Sequence, residues 1–450
     1  MVSVCEKNET RLSNAMPNLR YISTNGTRYT SQADNEAEID TVAQACITAL
    51  TNPLTEEESY SGIYELPPEP IYLYQGNSYE EAMDAYQGNL TRSATIASAE
   101  FTDGSPIQLP TEELVEKMLA GTSHAPDEVV GSLGPLYNEA TVKIVAINGV
   151  MAGCEPESMP LLLALTECLA NTDIAEANAG AGGWFNFAVV VNGPIAQEIS
   201  LNDGGPDLSG PAPLTPGVPA NTSIGRFLRL MMINVGGTEP GVLEGKGTGN
   251  PHKTSIVLAE DGQSPWPAFS SSSAIGLPDG ESTVSLFVTW GDIIQGNNSI
   301  YQGPQSSDEE VLLQEILGSD VEAAKNLSRP QQGLVLFLTT PKAQALAEAG
   351  FTREDVQHWI STHCVDTYAD ASARGLGKGV AGTVFTIQGK PIWETGAWPE
   401  EWSAPDFDPQ TVVQWFPHEE AISVIVGLRG ANSVLMNGNP RWSVSIEPWR

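Results

Sequence analysis

The side chains best suited to chemistry lie in short glycine-bearing loops. Cys154 sits in Asn148-Gly-Val-Met-Ala-Gly-Cys-Glu-Pro-Glu157, just ahead of an apolar stretch, Met159 to Ala170, that reads as a helix. A thiol at a helix start faces unpaired backbone N–H groups and partial positive charge, and both favour the nucleophilic thiolate. Cys154 is therefore the candidate nucleophile or redox thiol. The backbone around Gly149 and Gly153 would offer N–H groups to a developing negative charge. Glu155 and Glu157 oppose a thiolate unless they point away.

The second set is cationic. Basic residues number 21 against 56 acidic ones, so their placement carries information. Arg226, Lys246, Lys253 and Lys378 fall near the ends of expected strands and helices. Lys246 and Lys378 each stand in a Gly-Lys-Gly loop, Gly245 to Gly247 and Gly377 to Gly379. Glycine turns beside a Lys or Arg suit small anions, and open α/β sheets bind ligands beyond strand ends. Asn192, in Val190-Val-Asn-Gly-Pro194, belongs to the same class of strand-end position. His252, in Asn250-Pro-His-Lys253, is placed to move protons beside the first of these loops. Neither loop has the frame of a phosphate-binding loop, and no dinucleotide fingerprint follows a strand.

The five cysteines, Cys5, Cys46, Cys154, Cys168 and Cys364, have no paired spacing, which argues against a disulfide framework or a structural zinc cluster. His358 and His363 are five residues apart, an offset that does not set both rings on one helix face. No metal site is expected, and no cofactor is specified.

The elements that must position these groups recur. Glu139-Ala-Thr-Val-Lys-Ile-Val-Ala-Ile-Asn-Gly149 is echoed by Glu281-Ser-Thr-Val-Ser-Leu-Phe-Val-Thr-Trp-Gly291 and by Glu420-Ala-Ile-Ser-Val-Ile-Val-Gly-Leu-Arg-Gly430, starts 142 and 139 residues apart. Each reads as a buried strand ending in a sharp turn. After the first two come parallel landmarks. They are an apolar helix (Met159 to Ala170; Val311 to Asn326), a strand (Phe187 to Val191; Leu334 to Leu338) and a Pro-x-Ala-Gln helix start (Pro194; Pro341). A capped helix (Asn221 to Phe227; Thr352 to Trp359), the Gly-Lys-Gly loop and a further strand (Thr254 to Ala259; Gly382 to Ile387) complete the series.

The expected fold is α/β, with internally repeated, pseudo-symmetric units of about 140 residues. Units at 139–280 and 281–419 are clear. A third is split between 1–138, with a helix at Ile39 to Leu50, a strand at Pro70 to Gly76 and a capped helix at Thr111 to Met118, and the closing strand in 420–450.

At 450 residues and 41% hydrophobic, the chain suffices for two or three cores. A net charge of -35 repels phosphate backbones and anionic lipid, which disfavours nucleic acid and membrane partners. No apolar run reaches the roughly 20 residues of a membrane helix, and the N-terminus lacks a signal-peptide order. The expectation is a cytoplasmic protein that assembles as a homo- or hetero-oligomer.

Ala146-Ile-Asn-Gly-Val-Met-Ala-Gly-Cys-Glu-Pro-Glu157, Val190-Val-Asn-Gly-Pro-Ile-Ala196, Ser223-Ile-Gly-Arg-Phe-Leu-Arg-Leu230 with Asn234-Val-Gly-Gly237, and Ser264-Pro-Trp266 together resemble a poorly characterised bacterial family. That family is associated with proteins bearing a U-G-S-C (seleno)cysteine motif. The resemblance spans roughly Phe101 to Val365 and implies thiol- or redox-linked chemistry without a settled reaction. The chain departs from the family pattern where histidines are expected, carrying Pro267-Ala-Phe269, Trp290-Gly-Asp-Ile293 and Ala179-Gly-Ala-Gly-Gly-Trp184 instead. By architecture alone, the threefold cyanuric acid hydrolase and barbiturase type offers an analogy.

Two functions follow. One is a thiol-dependent enzyme of hydrolase, lyase or redox type, acting on a small anionic molecule with Cys154 and His252. In it Gly149, Gly153, Asn192, Arg226, Lys246, Lys253 and Lys378 hold the ligand. The other is a non-catalytic binding subunit beside an active paralogue.

Overall fold

The computed structural model describes residues 32–53, 78, 81, 102–103, 107–172, 186–201, 220–238, 256–296, 306–327, 333–374, 383–388, 390–395, 408–428 and 432–450. In chain order the first elements are α1 (Gln32–Thr51), α2 (Glu112–Leu119), β1 (Val129–Leu133), β2 (Asn138–Thr141), α3 (Val142–Ala152) and α4 (Met159–Ala170). Then come β3 (Asn186–Asn192), α5 (Ile195–Glu198), α6 (Ala220–Asn234), β4 (Ile256–Ala259) and β5 (Thr283–Gln295). The next are α7 (Glu309–Ala324), β6 (Leu334–Thr339), α8 (Thr340–Glu348), α9 (Arg353–His363), β7 (Val365–Thr367) and α10 (Tyr368–Arg374). The last are β8 (Thr383–Ile387), β9 (Lys390–Thr395), β10 (Val412–Gln414), β11 (Ile422–Leu428) and β12 (Val434–Ser445). The protein is mixed helix and sheet, as expected for α/β.

Six strands form one sheet in the order β11-β6-β12-β5-β3-β4. β3 and β4 are parallel, as are β6 and β11, while β12 pairs antiparallel with both β5 and β6, and β5 with β3. Read from either edge the sheet is the same: a parallel pair, then one of two long antiparallel strands at the centre. The sheet curls until its edges meet. Asp261, just after β4, donates its N–H to the Val426 carbonyl of β11 at 2.7 Å, and the Val426 N–H reaches Glu260 Oε1 at 3.3 Å. A Cβ on Gly427 would lie 2.7 Å from Leu258 Cδ1, so the strands touch there through a missing side chain. Such closure protects edges that would otherwise present unpaired backbone groups.

Period-two alternation divides the strand residues among three cores. Val189, Val191, Val257, Ala259, Leu286 and Val288 pack outward with helices α2, α3, α4 and α6. Leu334, Leu336, Leu338, Ile422, Val424 and Val426 pack outward with α7, α8 and α9. Ala188, Val190, Ile256, Leu258, Phe287, Val335, Phe337, Ile425, Val434 and Met436 form a separate core, the concave side of the curl.

One expected strand is a helix. Glu139 to Gly149 contributes only its first residues to β2, and from Val142 the chain runs as α3. Thr141 caps it, its side chain accepting the Ile144 N–H at 3.3 Å, and Gly153, at φ 82°, ends it in the left-handed conformation. The run is apolar on every face, so both periodicities fit, and the caps decide. Gly149 is thus a mid-helix packing position and no strand end. A Cβ there would meet Met118 Cε at 2.7 Å and Leu162 Cδ1 at 2.9 Å.

The other two copies of the motif are strands, β5 and β11. A second correspondence also fails among the described residues: β4 belongs to the main sheet, whereas β8 pairs with β9 in a two-stranded hairpin. The expected strand at Pro70 to Gly76 lies outside the described residues. No helix among those described is long and apolar enough to cross a membrane.

Candidate functional site

Cys154 follows the glycine that ends α3, and its N–H donates back to the Gly149 carbonyl at 2.9 Å. It therefore stands at the negative end of one helix, with the turn Pro156–Ser158 between it and α4. The side chain is buried. Burial pushes the thiol up to about 12, while a hydrogen bond with Ser223 works in the opposite direction and the Glu155 charge adds to the rise. At neutral pH the group is a protonated thiol in the first core. The expectation of a helix-lowered pKa took the adjoining α4 into account and missed the helix before it.

Arg226 is committed to the protein itself. Its Nη2 and Nε reach the two carboxylate oxygens of Asp103 at 3.0 and 3.3 Å. Asn192 lies at the end of β3, its amide donating to Glu260 Oε2 at 2.5 Å. His252, Lys246, Lys253 and Lys378 lie outside the described residues. Among the described residues no cluster of His, Cys, Asp and Glu could hold a metal ion. Cys154, Asn192 and Arg226 thus have different residues among their partners, Ser223, Glu260 and Asp103 in turn.

Two buried ionic clusters emerge that sequence reasoning missed. In the first, Glu260 receives Arg353 Nη2 at 3.0 Å, the Asn192 amide, the Phe269 N–H at 2.6 Å and the Val426 N–H. Arg353 also donates to the carbonyls of Val424 and Pro267, and its guanidinium lies within 5.9 Å of the ring centroids of Trp266 and Phe269. This cluster fastens β4, β11 and α9 where the sheet edges meet. Beside it Thr340 donates to Asp261 Oδ2 at 2.5 Å.

In the second cluster, Lys342 Nζ lies 2.7 Å from Asp320 Oδ2 and 3.1 Å from Ser433 Oγ, and Ser433 donates to Asp320 at 3.0 Å. After β3, Ile195 follows Pro194 as Lys342 follows Pro341 after β6, and the Ile195 N–H donates to Ser282 Oγ at 3.2 Å. Ser433 is fully buried and unreachable by a substrate.

Among the described residues a cavity of about 160 Å³ lies beside the core on the sheet's concave side, with Phe269 common to both. Phe269, Ile387, Ile422, Ser423 and Pro440 form its buried floor, and Ser273, Ala274, Glu354, Glu419 and Glu420 its exposed rim. Ser423 alternates with Ile422 and Val424 on β11, sharing the inner face with Ile425. It is 2% exposed.

The floor is held firmly. Phe269 is fixed by its N–H to Glu260 and by a tilted contact with Phe287, ring centroids 5.4 Å apart. Ile387 is placed by Gln388, whose side chain donates to the Ser443 carbonyl at 2.8 Å and accepts the Ser443 N–H at 2.7 Å. Gln357 of α9 donates to the Ile422 carbonyl, and Glu419 pairs with His358 Nδ1 at 2.7 Å. A lone serine inside the apolar run Ile422-Ser-Val-Ile-Val426 was the one trace of this site in the sequence.

No family model, curated protein or solved structure matches the chain.

Proposed function

We propose that this chain is a small-molecule-binding protein whose site is the cavity beside the core on the sheet's concave side, the non-catalytic reading of the two drawn from sequence. The observation that carries it is Ser423: a buried residue that brings a hydroxyl to the lining of a cavity whose buried floor is otherwise apolar. Ligand pockets of this kind combine a largely apolar lining with a few polar groups that orient the ligand. At about 160 Å³ the ligand is small. A cavity of roughly 150 Å³ holds one benzene-sized body.

The thiol-enzyme reading has less support. A thiol raised to about 12 is almost wholly protonated near neutrality, and its burial denies a substrate direct approach. The anionic ligand expected from the loop cations rested largely on Lys246, Lys253 and Lys378, which lie outside the described residues. Assembly with a second, catalytic chain is part of the same proposal.

We also read the fold as a duplication. The palindromic strand order supports two related halves, 186–295 and 334–445, with β3, β4 and β5 answering to β6, β11 and β12. The shared Pro-x-Ala-Gln after β3 and β6 fits this twofold arrangement.

The test of binding is ligand-observed NMR on the full chain with benzene-sized fragments, comparing wild type with Ala274→Trp. Ala274 is exposed on the rim, so a bulky ring there blocks entry without touching the core. Fragments that contact wild type and lose contact in the variant support the site. An absence of contacts, or contacts indifferent to the variant, removes it.

A further inference from the structure

We propose that the cavity selects an organic cation, an amine carried on a small apolar body, and this rests on the binding site just described. Three features converge. The floor residues Phe269, Ile387 and Pro440, with Ile275 beside them, accept an apolar body. Ser423, buried within that floor, carries a hydroxyl whose oxygen can accept from an N–H donor.

The rim supplies the charge. Glu354, Glu419 and Glu420 line the opening, and among the described residues of the lining there is no Lys or Arg. Glu419 is engaged by His358, which leaves Glu354 and Glu420 to face a ligand. Both ride on fixed elements, Glu354 in the first turn of α9 and Glu420 in the turn leading into β11. The chain's net charge of -35 adds a negative field that concentrates cations at such an opening and excludes anions. A carboxylate or phosphate ligand would meet this rim with no described cation to receive it.

The probes are benzylamine, benzyl alcohol and benzoate, which share a ring and differ in charge. Calorimetric titration of the full chain near neutral pH is expected to give the order benzylamine, then benzyl alcohol, with benzoate weakest or silent. Replacing Glu354 and Glu420 with Gln together is expected to weaken benzylamine by about 2- to 5-fold per carboxylate, as exposed pairs do, while leaving benzyl alcohol unchanged. Ser423→Ala is expected to weaken both of these probes.

Equal binding of benzylamine and benzyl alcohol, or preferential binding of benzoate, overturns the cation assignment and leaves the cavity standing. If no probe binds, or Ala274→Trp does not alter the binding seen, the cavity reading falls and the assignment with it. Circular dichroism of each variant separates a lost site from a lost fold.

Discussion

Glu260 gives the sharpest test of how the sheet is closed. It is buried, pairs with buried Arg353, and accepts three further donors, from the Asn192 side chain and the backbone N–H groups of Phe269 and Val426. Glu260→Ala leaves a buried guanidinium without its carboxylate. Breaking one side of such a pair costs about 3–5 kcal/mol. Each of the other donors, if left unpaired, adds about 1–3 kcal/mol.

Water entering the vacated space recovers part of this, so the terms do not simply add. The expected loss is at least about 3 kcal/mol, more than about 100-fold in the unfolding constant. The assay is urea unfolding followed by tryptophan fluorescence, with the slope compared to wild type so that a shifted midpoint reads as stability. Glu260→Ala/Arg353→Met, which removes both charges, is expected to regain a substantial part of the loss, because no unpaired ion remains. A single-variant loss below about 1 kcal/mol, or a double variant no better than the single, would refute the argument that this ion pair holds β4 against β11. Because Glu260 also fixes the Phe269 N–H, the single variant is expected to weaken probe binding at the cavity as well.

Lys342→Ile alone is expected to cost about 3–5 kcal/mol by stranding Asp320, whereas Lys342→Ile/Asp320→Leu recovers most of it, since no unpaired charge is left buried. Urea midpoints check both, and a harmless single variant would show that the salt bridge contributes little. Cys154 is expected to alkylate slowly at pH 8 and to accelerate only above about pH 10, because burial holds its thiol near 12. A rate that levels off near pH 8 would restore the thiolate.

The sign for stability follows from the same shift. The raised thiol contributes fully below its ordinary value of 9.0, and the contribution is lost as pH climbs from 9.0 towards about 12. His124 is raised above 6.5, first by its hydrogen bond to the Pro448 carbonyl and then by Glu128. Its contribution to docking of the C-terminal turn is therefore complete below pH 6.5 and lost as pH rises through its folded pKa. The Trp449 ring lies 4.9 Å from His124, so the fluorescence difference between wild type and Trp449→Phe reads this titration, and a midpoint at or below 6.5 would count against it. Gly193→Ala is expected to destabilise, since φ is 84° and a Cβ would stand 2.3 Å from the Glu281 carbonyl oxygen; an unchanged urea midpoint would contradict this.

Local signals in the sequence were enough where the decision was local. Thr111, Asp308 and Thr352 cap α2, α7 and α9 with side-chain bonds to the N–H three residues on, and the spacing of those residues states as much. The β-branched runs at β3, β6 and β11 are buried along their described lengths and bounded by turns, so they read as strands before any fold is known. The run after Glu139 was undecidable by periodicity, because an all-apolar segment satisfies both periods; the Thr141 and Gly153 caps favour the helix, and it packs against α2 and α4. The direction of the Cys154 shift was illegible for a related reason: it is set first by burial, which its neighbours in sequence do not state.

What the sequence determined by itself was the alphabet of elements, the caps that begin them and the strongly acidic surface, since each depends on residues a few positions apart or on composition alone. Only the tertiary structure decided that β4 and β11 would meet across the curl and that Glu260 would find Arg353 there, 93 residues away. The same long-range closure turned Ser423 inward to a cavity shared with Phe269, Ile387 and Pro440. Contacts of that range depend on sheet order and curvature, which arise from all six strands together and are written in no single one of them.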